Sequence, residues 1–176
     1  MFCRQTVLPP PVLDAVGFGR KALPKKPEIG YSRCNEGIMA KVEAKALKLA
    51  RNKTAFVGSV NKNMAPNIKA MLVAKSDGLK TFYFASNNSA IRTEQYLHNN
   101  NACIYFSDGP IYKGLMLEGT MEILNDRDTK VLVWKDNYKS VYRKGGINDP
   151  DFCVLKFTAR TGRYYHALKS ETFNIE

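Results

Sequence analysis

Apolar residues recur at helical spacing from Glu36 to Asn52, where Ile38, Met39, Val42, Ala46, Leu47 and Ala50 are separated by lysines. That pattern predicts an amphipathic helix. Beyond it the period changes to two. Short runs divided by turn residues, TAFVGSV, NIKAMLVAK, KTFYFAS, NACIYFS, GLMLEGTMEIL, DFCVLKFTA and RYYHAL, predict strands. Two more helices are predicted, one from Ser89 to His98 and one from Asp126 to Tyr142, where Val131, Val133, Trp134, Tyr138 and Val141 include a buried stripe. Turns at Asn61 to Pro66, Ser76 to Gly78 and Thr161 to Gly162 leave no room for crossover helices, so the sheet is expected to be mostly antiparallel. The fold class is mainly β (α+β), a small β-barrel with helices at its mouth or side.

Two positions complicate a simple barrel. In the strand Asn67 to Lys75, Ile68, Ala70, Leu72 and Ala74 fill one face while Met71 and Val73 make the middle of the other face apolar too. Something is expected to cover the outside: a helix, a bound flat ligand or a second copy of the chain. Gly119, inside LMLEGTMEI, marks either a close approach of another group or a bulge.

Composition narrows the class. The chain of 176 residues suits one domain with a real core. Residues 1–35 carry Pro9, Pro10, Pro11, Pro24 and Pro27 and are expected to be an N-terminal extension, with residues 36–176 as the domain. The formal charge of +11 invites an anionic ligand or nucleic acid. The aromatics interleaved with cations in YKSVYRK and RTGRYYH have the spacing of packed faces, so nucleic acid ranks last among the partners. Four cysteines show no metal or redox spacing, and Cys103 and Cys153 sit in apolar runs as small hydrophobes, which points to a reduced cytoplasmic protein. No run approaches a membrane span, and the N-terminus lacks the apolar core of a signal peptide.

Catalytic motifs are scarce. GFGRKA, from Gly17 to Ala22, spells a dinucleotide fingerprint, but the preceding PPPVLDAV is a poor strand and Pro24 stops any helix. Of the two histidines, His98 is read as a partner of a helix C-terminus and His166 as a packed or rim residue sharing a face with Tyr164 and Leu168. No nucleophile with its own base is visible, so any catalysis would rest on a cofactor.

The richest stretch is TFYFASNNSAIR, from Thr81 to Arg92, where an aromatic strand breaks into Asn and Ser and restarts as a helix carrying a guanidinium. Free backbone N–H groups, the helix dipole and the cation together make a phosphate seat. An ordinary capped helix after an edge strand accounts for the same letters.

From about Lys45 to Ile175 the chain resembles the pyridoxamine 5′-phosphate oxidase-related, FMN-binding split-barrel proteins, especially the general-stress-protein-like branch. The segments that carry the resemblance are AFVGSV, PNIKAML, DGLKTFYFASNNSAIRTEQY, NNNACIYF, GLMLEGTMEIL and DPDFCVLKFTARTGRYYHALKSETFNI. The resemblance implies a six- to seven-stranded antiparallel split β-barrel with flanking helices, forming a homodimer with one FMN in each of two interface clefts. It implies that Lys69, Ala70 and Met71 run along the flavin and that Ser86, Asn87, Ser89 and Arg92 take its phosphate. Tyr164 or Tyr165 would lie near the ring.

Two departures qualify this. Relatives commonly have a hydroxyl residue and a lysine just before the final cation of the loop, where this chain has Ala90 and Ile91. Losing one charge-assisted contact costs on the order of 1.5 to 3 kcal/mol, about ten- to hundredfold in affinity. The chain also ends soon after RYYHALKSETFNIE, without the arginine- and histidine-bearing segment of true pyridoxamine phosphate oxidases, whose activity is not expected here. The sequence therefore supports an FMN-dependent oxidoreductase acting on a small molecule or with a nicotinamide donor. The alternative is a non-catalytic flavin- or haem-binding module on the same barrel.

Overall fold

The computed structural model describes residues 34–52, 54–109 and 112–176. Residues 1–33 of the expected N-terminal extension, the GFGRKA segment among them, lie outside the described residues, while Cys34 and Asn35 already belong to the first helix. The first element is helix α1 (Cys34–Ala50), which presses Val42, Ala46, Leu49 and Ala50 onto the barrel. Strands β1 (Thr54–Val60) and β2 (Pro66–Leu72) follow as a hairpin, then the short β3 (Lys75–Asp77) and β4 (Thr81–Asn87). Helix α2 (Ile91–His98) leads to β5 (Asn101–Asp108) and β6 (Lys113–Leu124), and helix α3 (Arg127–Val133) to β7 (Phe152–His166) and β8 (Lys169–Asn174).

All pairings are antiparallel, in the order β2-β1-β5-β6-β7-β4-β3, with β8 added on β7. The long β7 makes this possible. Its first half pairs with β4, its second half pairs with β8, and nearly its whole length pairs with β6. Alternation puts every second side chain inside, and Phe82, Phe84, Ile104, Phe106, Leu115, Leu117, Leu155 and Phe157 are fully buried. Each such side chain stabilises the fold by roughly 1.5 to 3 kcal/mol relative to exposure.

Several sequence expectations are corrected. Thr161 and Gly162 are not a turn: DFCVLKFTA and RYYHAL are one strand, because β6 pairs along both across a single bulge. The register shifts between Glu118 and Gly119, so Gly119 marks a bulge, and a Cβ there would run into the Thr158 carbonyl. NIKAMLVAK is interrupted after Leu72, with β3 beginning at Lys75. KSETFN, assigned to no element in the sequence, is β8.

The third predicted helix is also shorter. It stops at Val133 and continues as 3-10 turns at Asp136–Ser140 and Gly146–Asn148. Val133 is buried while Val131 and Val141 are exposed. Trp134, Tyr138, Tyr142 and Phe152 instead form an aromatic cluster, with Tyr142 and Phe152 centroids 4.6 Å apart. Ring-to-ring packing holds this segment where helical periodicity would not. Among the described residues no helix is long and apolar enough to cross a membrane.

Candidate functional site

The end of β4 and the start of α2 build the site. Ala90 occupies the N-cap position of α2 with no side-chain hydrogen bond. The turn is held by other means. Thr93 Oγ1 donates back to the Asn87 carbonyl at 2.7 Å, and Asn88 Nδ2 donates to the Pro150 carbonyl at 2.8 Å. The helix is also fastened to β1, since Ser59 Oγ lies 2.6 Å from Gln95 Oε1 and the Tyr96 hydroxyl donates to the Gly58 carbonyl at 3.0 Å. Burial pushes the Tyr96 phenol up to about 12, so it remains a neutral donor.

Asp151 was missed by sequence reasoning. Its carboxylate accepts from the Ser89 backbone N–H at 2.8 Å, from Ser89 Oγ at 2.9 Å and from Asn87 Nδ2 at 2.8 Å. These hydrogen bonds hold its acid below the usual carboxylate range. A carboxylate of the chain itself therefore engages two residues, Asn87 and Ser89, that the resemblance assigns to a phosphate. The Tyr142 hydroxyl joins the same knot, donating to the Ser86 carbonyl at 3.1 Å and lying 3.2 Å from Asn87 Oδ1. No local signal marks Asp151, which stands 62 residues from Ser89.

Between β1, β2 and α2 opens a cleft of about 460 Å³, within the size range of small-molecule sites, about 300 to 1,000 Å³. Val57 and Ser59 supply one wall, Asn67, Ile68 and Lys69 another, and Ser89 to Arg92 with Gln95 and Tyr96 the third. Lys69, Ser89 and Arg92 are thus brought together. Arg92 Nη1 points back to Met71 Sδ at 3.3 Å, which holds the guanidinium beside the sheet. Neither Arg92 nor Lys69 forms an ion pair among the described residues.

The other predicted residues fall elsewhere. Met71 faces the core at 7% exposure, and Ala70 faces outward opposite Phe56. Ser86 is buried behind the turn, and its Oγ has no partner among the described residues. Asn87 is engaged by Asp151 and Tyr142. Tyr164 lines a different cleft, and Tyr165 packs near Tyr105 on the outer face with centroids 6.3 Å apart. His98 stands in the last turn of α2 and His166 ends β7. Cys153 is buried beside Thr93, and burial pushes its thiol up to about 11, which makes it inert.

The outer face of β1 and β2 is apolar and open. Phe56, Ile68 and Leu72 are exposed by 44%, 74% and 63%. Exposed patches of this kind mark sites of association.

Comparison with known proteins places this arrangement. The family model described as pyridoxamine 5′-phosphate oxidase like matches residues 41–175. A solved structure from Clostridium acetobutylicum, of a protein related to general stress protein 26 of B. subtilis in the pyridoxinephosphate oxidase family, is 43% identical, with a TM-score of 0.69. The match covers 77% of this chain and 95% of that one. General stress protein 26 from Bacillus anthracis shares the fold at 15% identity and a TM-score of 0.62, over 78% of this chain and 98% of that one. A haem binding protein from Mycobacterium smegmatis shares it at 11% identity and a TM-score of 0.54, over 76% and 57%. No curated protein sequence matches the chain. The family match spans every strand that shapes the cleft together with the turn that carries Ser89 and Arg92, and the chain belongs to the pyridoxamine 5′-phosphate oxidase-like split-barrel family.

Proposed function

We propose that the cleft between β1, β2 and α2 binds FMN and that the protein is an FMN-dependent oxidoreductase. The observation that carries this reading is the meeting of Lys69 and Arg92 in one cleft at the start of a helix. Two cations without carboxylate partners among the described residues suit a phosphate dianion. The unpartnered Ser86 hydroxyl, buried at the strand end behind the same turn, adds a polar group with spare capacity.

Bound flavin would supply hydride acceptance and return. The chain's own part is to hold the phosphate end with Arg92 and Lys69 and to keep α2 pinned through Gln95 and Tyr96. The apolar walls from Val57 and Ile68 would exclude water from the ring. A second copy of the chain packing on Phe56, Ile68 and Leu72 would close the open side and form a homodimer with the cofactor at its seam.

Ile91, exposed by 75% at the cleft where relatives commonly carry lysine, favours a second reading, a flavin- or haem-holding module without turnover. The related structure from Mycobacterium smegmatis is of a haem binding protein. An absorption spectrum of purified protein separates these readings. Yellow protein that releases FMN on denaturation and is reduced by a nicotinamide donor supports the oxidoreductase. A Soret band, or a flavin that no donor reduces, supports the module, and colourless protein that takes up neither added FMN nor added haem rejects both.

A further inference from the structure

A second cleft, of about 270 Å³, lies where the C-terminal turns of α1 meet the ends of β5, β6 and β7. It shares no lining residue with the cleft proposed for FMN. Lys45 and Lys48 reach it from α1, and Lys113 and His166 from the sheet. The two lysines are three residues apart and so share a helix face, where like charges repel. Lys113 and His166 are direct partners across β6 and β7 and so leave the same face of the sheet.

Asp108 also lines the cleft and pairs in register with Lys113. None of the three lysines forms an ion pair with it or with any other carboxylate among the described residues. Lys48 suits the helix dipole in the last turn of α1, but the dipole accounts for neither Lys113 nor His166, which stand on strands.

Tyr164 lines the same cleft and forms no side-chain hydrogen bond among the described residues. Its hydroxyl is not among the buried unpartnered atoms, so it stays open to the cleft. A phenol donor in one cleft with three lysines suits an oxyanion. The volume falls just under the range of about 300 to 1,000 Å³ typical of drug-sized ligands, which limits the ligand to something compact.

We propose that this cleft is an anion site that takes a phosphate group, either free or borne by a compact phosphomonoester, between Lys45, Lys48 and Lys113 with Tyr164 donating to it. The site stands independently of the flavin reading.

The test is calorimetric titration of the full chain with inorganic phosphate and, separately, with glycerol 3-phosphate, at constant ionic strength set by chloride. Saturable binding of at least one is expected, and the tighter of the two identifies the source. The Lys48→Gln/Lys113→Gln double variant should weaken it by about tenfold or more. Tyr164→Phe should weaken it severalfold, and Arg143→Gln, which lines neither cleft, should leave it unchanged. Loss of binding in Arg92→Ala with retention in the lysine variant would assign the anion to the first cleft and overturn the proposal. The absence of saturable binding of both probes at millimolar concentration would overturn it equally.

Discussion

Asp151 and Ser89 are joined twice, with the backbone N–H of Ser89 donating to one carboxylate oxygen at 2.8 Å and its Oγ donating to the other at 2.9 Å. The start of β7 thereby fixes the turn that leads into α2, in place of the N-cap side chain that Ala90 lacks. Asp151→Ala leaves Ser89 and Asn87 without their acceptor. At this exposed site the expected loss is about 1 to 2 kcal/mol, or a Tm lower by roughly 3 to 6 °C, read by scanning calorimetry. An unchanged Tm would mean that water replaces the carboxylate at no cost.

The same carboxylate gives a pH signature. Its folded-state pKa is lowered, first by the Asn87 hydrogen bond and then by Ser89. Its contribution is therefore fully present above the unfolded carboxylate value near about 3.9 and is lost as pH falls through the lower folded value. The stability gap between the natural chain and Asp151→Asn should be flat at neutral pH and close in acid, as read by denaturant titration across pH.

Arg92 and Lys69 are the cations of the proposed FMN site. Arg92→Ala should weaken FMN retention by at least about tenfold. Ile91→Lys restores a charge at an exposed position lining the same cleft and should tighten binding by about tenfold. Fluorescence quenching of titrated FMN reads both. If neither substitution changes affinity, the phosphate sits elsewhere.

The proposed homodimer rests on the outer face of β1 and β2. Ile68→Asp or Phe56→Glu places a charge in that face without touching the core, because both side chains are exposed in the single chain. The expected result is a monomer by light scattering, with FMN retention reduced if the cofactor lies at the seam. A dimer unaffected by both would locate the contact on another surface.

Gly119 supplies a purely structural prediction. A Cβ there meets the Thr158 backbone carbonyl at the bulge between β6 and β7. Gly119→Ala must push two paired strands apart, at a cost of about 1 to 3 kcal/mol. Gly78→Ala, which has open space but a φ of 53°, should cost about 1 kcal/mol from backbone strain alone. Comparing the two denaturation midpoints separates collision from strain.

What the sequence determined by itself was local. Alternation located β1 and the cores of β4, β5 and β6, because a half-buried strand writes its period directly into the chain. The Ser and Asn turn before Arg92 was visible for the same reason, as were the apolar second face of β2 and the glycine at the bulge. Tertiary structure decided what those local features meet. Only the packed fold showed that Thr161 and Gly162 extend a strand, because the long partner β6 overrides their turn-like letters. Only the fold brought Asp151 to Ser89 across 62 residues, and set Lys113 beside His166 at the mouth of a second cleft. Contacts of that sequence separation depend on strand order and register, which no window of neighbouring residues encodes.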